Sequence, residues 1–311
     1  AMIVMRKIIR YWNQNRKQII IIIAIIAFII IILNVVNGIF KMINDNSKGN
    51  TSQINIEERQ KPTQSVITGQ NVSKDITDEN VDIIKEFVDY CNNMETSKAY
   101  ELLSNDCKEE FNNDINIFIK NYCKRNFQTK KIYNLELMFK ESNSYTYKTT
   151  YYEDNLLATG GSTSNNFEDY ITIIKQNGEN KLNINNFIKK QEINKTQTTE
   201  EIEIYIKSKR IYREYEQYRI EIKNNTENTI SISNGENDED ICLLDKNNVK
   251  YVSFLYEIPI YSLSIKPKRT TELDITFNKI YDTYRIMEKM QFDNIRLNQS
   301  DNTRTTITIE I

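Results

Sequence analysis

"NDINIFIKNYCKRNFQTKKIYNLELMF", residues 113–139, contains two periodicities and the point where one replaces the other. In its first half Ile115, Phe118, Ile119 and Tyr122 recur at spacings of three and four, which places them on one face of a helix. From Tyr133 the apolar residues fall on every second position, at Tyr133, Leu135, Leu137 and Phe139, which predicts a strand. The fold is decided by what each half continues into.

Upstream the helical period persists. In "TDENVDIIKEFVDYCNNM" (77–94), Val81, Ile84, Phe87, Val88 and Cys91 share a face, with Thr77 and two acidic residues as a plausible helix start. "TSKAYELLSNDCKEEF" (96–111) adds Ala99, Leu102 and Leu103. Downstream, "YTYKTTY" (145–151), "FEDYITIIKQ" (167–176) and "KLNINNFI" (181–188) continue the strand period, joined by turn residues such as "QNGEN". Three or four helices followed by an antiparallel meander predict an α+β layer in which a curved sheet wraps the helices.

Beyond "QEINKTQTTEE" the long segments alternate with period two: "IEIYIKSKRIY", "YEQYRIEIKNNTENTISIS", "ICLLDKNNVKYVSF", "TTELDITF", "MQFDNIRLN" and "RTTITIEI". So many strands in about 110 residues predict a β-sandwich. "NKIYDTYRIMEK" (278–289) is expected to insert a helix before the last two strands. No internal repeat relates the two halves.

Composition sets the chemistry that is open to the chain. Its 41 basic and 43 acidic residues are interspersed and give a net charge of -2, so no basic field suggests nucleic-acid binding. Histidine is absent, which excludes His-based triads, Cys-His pairs and His-based zinc sites. The four cysteines, Cys91, Cys107, Cys123 and Cys242, have no CxxC spacing, so a thiolate metal site is poorly supported. With 7 Gly and 3 Pro, turns fall to Asn and Asp, which tolerate left-handed backbone; "DKNN", "KNNTEN" and "KQNGEN" suit that role.

Residues 18–40 are almost wholly apolar, with no polar side chain from Ile19 to Leu33. About 22 residues at ~1.5 Å rise suffice for the hydrocarbon layer of a membrane, which predicts a transmembrane signal anchor. A cleaved signal peptide is the rival, but its apolar region is shorter and ends at a small-x-small site that "NVVNGIFKMIN" does not offer. Arg6, Lys7, Arg10, Arg16 and Lys17 make residues 1–17 a basic cytoplasmic segment and place the remainder outside the cell membrane. Residues 41–78, polar and aperiodic, are expected to be a flexible linker.

"VDIIKEFVDYCNNMETSKAYELLSNDCKEEF" and "FEDYITIIKQNGENKLNINNFI" together resemble a membrane-anchored domain of the NTF2-like (cystatin-like) superfamily of Gram-positive bacteria, over residues 79–195. "YRIEIKNNTENTI", "LLDKNNVKY" and "SIKPKRTTELDITF" are similar to bacterial extracellular immunoglobulin-like domains of unknown function, over 200–311. The resulting expectation is α+β plus all-β: a transmembrane helix, an NTF2-like domain and an immunoglobulin-like β-sandwich. The NTF2-like resemblance implies a cavity between sheet and helices, used by some members, such as ketosteroid isomerases and dehydratases, for catalysis. Glu168, Asp169 and Tyr170 are the right residue types, but neighbours on a strand point to opposite faces. No motif of those enzymes matches here, so no catalytic, cofactor-binding or metal residue is assigned and no cofactor is expected.

Three smaller features remain. Glu236, Asp238, Glu239 and Asp240 in "NGENDED" offer hard oxygen ligands for calcium but lack EF-hand spacing, and a merely hydrated loop is the plainer reading. Cys91, Cys107 and Cys123 permit one disulfide among them outside the cell, or buried free thiols. Of the 19 tyrosines, Tyr145, Tyr147, Tyr151 and Tyr152 divide between core and surface, where exposed ones suit protein interfaces. The functional expectation is a non-enzymatic, single-pass envelope protein presenting two extracytoplasmic binding or scaffold domains to a protein or cell-wall partner, an assembly subunit of a conjugation or secretion machine being one form of it. Homo-oligomers are compatible with this and nucleic acid is not expected. The alternative is a small-ligand binder or enzyme using the NTF2-like cavity.

Overall fold

The computed structural model describes residues 61–153, 166–298 and 303–311. Residues 61–73, within the stretch expected as linker, lie along the first strand: Val66 donates its N–H to the Leu137 carbonyl at 2.8 Å, and the Ser65 hydroxyl donates to the Met138 carbonyl at 2.6 Å. Helices follow in one block. α1 (Lys74–Asn92) is the long one, then come α2 (Thr96–Glu101), α3 (Asn105–Glu110) and α4 (Ile115–Phe118). α4 runs on through a π-helical turn (Ile119–Cys123) into α5 (Lys124–Asn126). The Ser104 side chain caps α3 by accepting from the Cys107 N–H, and Asp114 caps α4 by accepting from Asn116.

Three antiparallel sheets account for the rest. The first has the order β1-β2-β3-β4, formed by Lys131–Glu141, Ser144–Glu153, Phe167–Gln176 and Glu179–Asn183. The second is β12-β7-β6-β5, with β5 at Phe187–Thr198, β6 at Ile202–Tyr212, β7 at Glu216–Asn224 and β12 at Thr270–Phe277. The third has the order β10-β9-β13-β8-β11, with β14 (Arg304–Glu310) also on β13 (Met287–Arg296). Its shorter strands are β8 (Ile230–Ser231), β9 (Ile241–Asp245), β10 (Lys250–Val252) and β11 (Ser264–Ile265).

Two large apolar cores result. One lies between the helices and the first sheet and joins Ile84, Phe87, Phe118 and Tyr122 to Leu137, Tyr147, Tyr151 and Ile171. The other lies between the second and third sheets, where Ile202, Ile204, Ile206, Ile220 and Ile222 meet Leu243, Met290, Phe292 and Ile309. β5 belongs to both. Its first residue, Phe187, sits in the helical core, and Ile193 packs on the sandwich core.

A third, smaller core explains how the halves join. β1 carries a bulge between Leu137 and Phe139, so Phe139 pairs with Thr146 and turns to the outer face of the sheet. There it meets Ile188, Ile211 and Tyr281, its ring 4.8 Å from that of Tyr281. The strict alternation expected for Tyr133, Leu135, Leu137 and Phe139 therefore breaks at its last member.

These observations correct the expected fold class. Strands dominate the described residues, and beyond α1 the α-helical pieces before the first sheet are short, the last two being joined only through the π turn. Among the described residues no helix is long and apolar enough to cross a membrane, so a transmembrane helix has no support there. α1 could not serve, because Asp75, Asp78, Glu79, Asp82, Lys85, Glu86 and Asp89 lie along it. The segment expected as an anchor, residues 18–40, lies outside the described residues, as do the basic segment 1–17 and most of the expected linker. Nor is there a helix at 278–286. The Asp282 carboxylate accepts from the N–H groups of Tyr284 and Arg285 at 2.9 and 2.6 Å, closing a side-chain turn that competes with helix, and β13 then begins at Met287.

Candidate functional site

Asp169 is the buried carboxylate of the helical core. It sits on β3 opposite Thr149 of β2. Between β4 and β5, Asn185 and Asn186 both take left-handed backbone, with φ of 60° and 61°, and the Phe187 N–H closes the turn on the Ile184 carbonyl. That turn aims two consecutive amides at Asp169, at 3.0 and 2.7 Å, and the Tyr122 hydroxyl donates to it at 2.7 Å. Burial pushes the Asp169 carboxyl above its ordinary value, and these donors hold it partly down. Glu168 and Tyr170 do not join it. Glu168 pairs with Lys148 at 2.7 Å on the opposite face, and the Tyr170 ring lies 5.1 Å from the Arg213 guanidinium.

The space around Asp169 is filled by rings. Phe118 and Tyr122 stack at 5.9 Å, Tyr122 is 6.1 Å from Phe127, Phe127 meets Tyr151 edge-on at 5.6 Å, and Tyr151 stacks on Phe167 at 4.3 Å. The Tyr147 hydroxyl accepts from Asn80 at 3.1 Å. The Tyr151 hydroxyl and Thr149 Oγ1 are buried without hydrogen-bond partners, the approach of Tyr122 to Tyr151 falling short of bonding geometry. Of the four tyrosines singled out from the sequence, Tyr147 and Tyr151 are thus core residues, and Tyr145 and Tyr152 are half-buried. A shallow open groove of about 490 Å³ lies at the end of this core, between Asn92, Met94, Lys124, Phe127 and Lys130, with no carboxylate on its walls.

Charged groups between the halves are paired. Glu110 accepts from the Tyr212 hydroxyl, and Arg210 Nε stands 2.9 Å from Glu110 Oε1, off the line of its N–H. Glu141 binds both Lys189 and, at 2.8 Å, the Tyr281 hydroxyl. Buried Glu216 accepts from the Tyr218 hydroxyl at 2.9 Å and pairs with Lys279 at 3.4 Å and Lys209 at 3.6 Å. Burial lowers the Lys209 ammonium below its ordinary value. Each of these charges has a structural partner.

The acidic loop does not gather its oxygens. Asp240 is buried, accepting from the Ser233 hydroxyl at 2.7 Å and from the Asn294 amide, while Glu236 accepts from the Asn234 side chain at 2.9 Å. Among the described residues no group of three or more Asp, Glu, Cys or His could hold a metal ion. The four cysteines are buried and unbridged.

What the loop does is border an exposed apolar surface. Residues 253–263 run "SFLYEIPIYSL", pinned at Leu255 and Leu263, both fully buried. Two short 3-10 turns, Leu255–Glu257 and Ile260–Leu263, flank Pro259 and are closed by bonds such as Ser262 N–H to the Pro259 carbonyl at 2.8 Å. Between the two pins Tyr256, Ile260 and Tyr261 are 70%, 66% and 79% exposed. The acidic loop packs alongside: Ser253 donates its N–H and hydroxyl to the Asp238 carbonyl at 3.2 and 3.1 Å. Gly235, with φ of +76°, comes so close that a Cβ there would lie 3.4 Å from Ile260 Cγ1. Glu236, Glu239 and Glu257 are exposed around this surface, and Lys250, the cation beside Glu239, is engaged by Asp293 at 3.4 Å. Sequence patterning passed over the segment, because Pro259 breaks its alternation. The available signal was that proline inside an apolar run, which argues against a central strand and for a displayed turn.

No family model matches the chain, and no curated protein does. Among solved structures, a conserved hypothetical protein from Bacillus anthracis is similar at 14% identity over 32% of this chain and 95% of that chain, with a TM-score of 0.23, too low to carry a fold or a function across.

Proposed function

We propose that the unit formed by residues 61–311 is a non-enzymatic binding module, which engages a protein segment through the Tyr256–Ile260–Tyr261 surface. The observation that carries this reading is the display of three large apolar side chains, each about two-thirds exposed or more, on one turn held at both ends by buried leucines. A turn fixed in advance loses little conformational freedom on binding, and tyrosine combines a rigid apolar body with a polar tip. The acidic border selects the partner's chemistry: apolar residues beside Lys or Arg. A cavity-based enzyme has less support, since Asp169 is engaged by three donors and walled in by rings.

The test uses two labelled peptides, one alternating leucine with lysine and one alternating leucine with glutamate, titrated against the full chain by fluorescence anisotropy. The lysine peptide is expected to bind at least about tenfold more tightly, a difference of about 1.4 kcal/mol. Replacing Ile260 and Tyr261 by serine is expected to weaken it by about tenfold or more, as truncation of interface anchors does. Equal binding of the two peptides, or binding unchanged by the substitutions, rejects the proposal.

A further inference from the structure

An edge strand presents unpaired backbone groups that accept a further strand, and most edges of this fold are covered or blunted. β1 is flanked by Ser65 and Val66. β4 is tied to the segment before α3: the Ser104 N–H donates to the Leu182 carbonyl and the Leu182 N–H to the Leu102 carbonyl, both at 2.9 Å. β12 accepts the Phe254 N–H on its Thr276 carbonyl at 2.8 Å, beside a bridge from Ser253 to Phe277. β5 is irregular against β6 at Phe187/Lys189 and again at Glu192/Lys195, and it carries the charges of Lys189, Lys190, Glu192 and Lys195. β10 and β11 are three and two residues long.

β14 has none of these protections. It pairs with β13 along one side, and among the described residues no strand pairs with its other side. β5 of the facing sheet comes near it without exchanging ladder bonds. The break in register, where Phe292 opposes Ile307 but Ile295 opposes Thr305, puts the extra residue on β13 and leaves β14 continuous. Thr305 to Ile309 are consecutive β-branched residues without proline, glycine or charge, and the strand's charges stand at its ends, Arg304 and Glu310. Ile307 and Ile309 point into the sandwich core, whereas Arg304, Thr306, Thr308 and Glu310 are exposed on the other face.

We propose that β14 pairs antiparallel with β14 of a second copy of this chain, about a two-fold axis at Ile307, so that the third sheet continues across a dimer. The strand is complementary to itself in that register. Arg304 comes opposite Glu310 of the second copy at both ends, Thr306 comes opposite Thr308 twice, and Ile307 meets its own counterpart. Opposite charges and threonine pairs are favourable across strands, while a parallel pairing in register would set Arg304 on Arg304 and Glu310 on Glu310. The charge environment fits the same register. Within the chain Arg304 stands opposite Arg296 and donates to the Asn294 side-chain oxygen at 2.8 Å, and among the described residues no carboxylate pairs with either arginine. Glu310 of the second copy supplies that carboxylate. Glu310 meets Lys289 through Oε1 at 3.4 Å and remains exposed, which leaves Oε2 for the arginine. The interface uses no residue of the Tyr256–Ile260–Tyr261 surface, so the two proposals fail separately.

The experiment measures the mass of the full chain by sedimentation over a range of concentrations, with far-UV circular dichroism as the check on folding. The unaltered chain is expected to dimerise. Arg304→Glu and Glu310→Arg each set like charges opposite each other at both ends, and each alone is expected to raise the dimer Kd about tenfold. An equal mixture of the two variants restores Arg–Glu pairs at both ends, and heterodimers are expected to form at close to the original Kd. A Thr306→Lys, Thr308→Lys double variant alters exposed positions and sets lysine opposite lysine at the centre, and it is expected to be monomeric. A chain that stays monomeric at about 100 μM overturns the proposal. So does a dimer that the single substitutions and the double lysine variant leave unchanged, or a mixture of folded single variants that does not recover the dimer.

Discussion

At the scale of single residues, Asp169 and Glu141 show the same type of group shifted in opposite directions by its surroundings. Asp169 accepts three hydrogen bonds, from Tyr122 and from the Asn185 and Asn186 amides. Asp169→Ala leaves those donors buried and unpaired, and we expect a loss of about 3–5 kcal/mol in denaturant unfolding, with Asp169→Asn recovering part of it. Glu141 is pushed up by its burial but pulled further down by Lys189 and Tyr281, so its folded value lies below 4.5. Its stabilising contribution is present above pH 4.5 and is lost as pH falls through the lower, folded value. Asp169, raised in the folded state, works against this: its carboxylate form costs stability as pH rises from 3.8 through its folded value. Glu141→Gln is therefore expected to flatten the acid limb of a melting-temperature profile measured from neutrality downward. An unchanged acid limb would show that Glu141 does not hold its partners in solution.

Elements depend on where regular patterns are interrupted. The β1 bulge sends Phe139 to the junction with Ile188, Ile211 and Tyr281. Phe139→Ala should cost about 3–5 kcal/mol, read by chemical denaturation, because a fully buried ring is replaced by a cavity between the halves. A cost below about 1 kcal/mol would place Phe139 outside the core. Much of the element order was legible in the sequence. The helical faces carrying Ile84, Phe87 and Cys91 and the alternation of Tyr147, Thr149 and Tyr151 follow from local period alone, and Asn177, Asn185, Asn186 and Asn248 occupy the left-handed turn positions that a glycine-poor chain assigns to asparagine. The misreadings arose where a single side chain outweighed the period. Asp282 turned an apparent helix into a loop, an extra residue reversed Phe139, and Pro259 turned an apolar run into the displayed segment. Asp169 was noticed for its type, but its engagement by two amides 16 and 17 residues away depends on tertiary placement that no local pattern records.

For the molecule as a whole, the described residues from 61 onward belong to one compact unit. β5 runs without interruption from the helical core to the sandwich, and Glu141, Lys189, Tyr281, Glu110 and Tyr212 bond across the same junction. Far-UV and near-UV circular dichroism are therefore expected to report a single coincident thermal transition for this unit, and two separated transitions would mean that the halves are energetically independent. At this scale the proposed binding role draws on the exposed Tyr256, Ile260 and Tyr261, in a segment anchored by the buried Leu255 and Leu263. The most direct measurement places a photo-crosslinking amino acid at Tyr256 or Tyr261, and at exposed Lys268 as a control, in the full chain within its native cell, and maps the adducts by mass spectrometry. The binding-module account predicts adducts at 256 and 261 well above those at 268, on partner segments that combine apolar residues with Lys or Arg. Adducts no more abundant than at Lys268, or partner segments that are acidic, would contradict it.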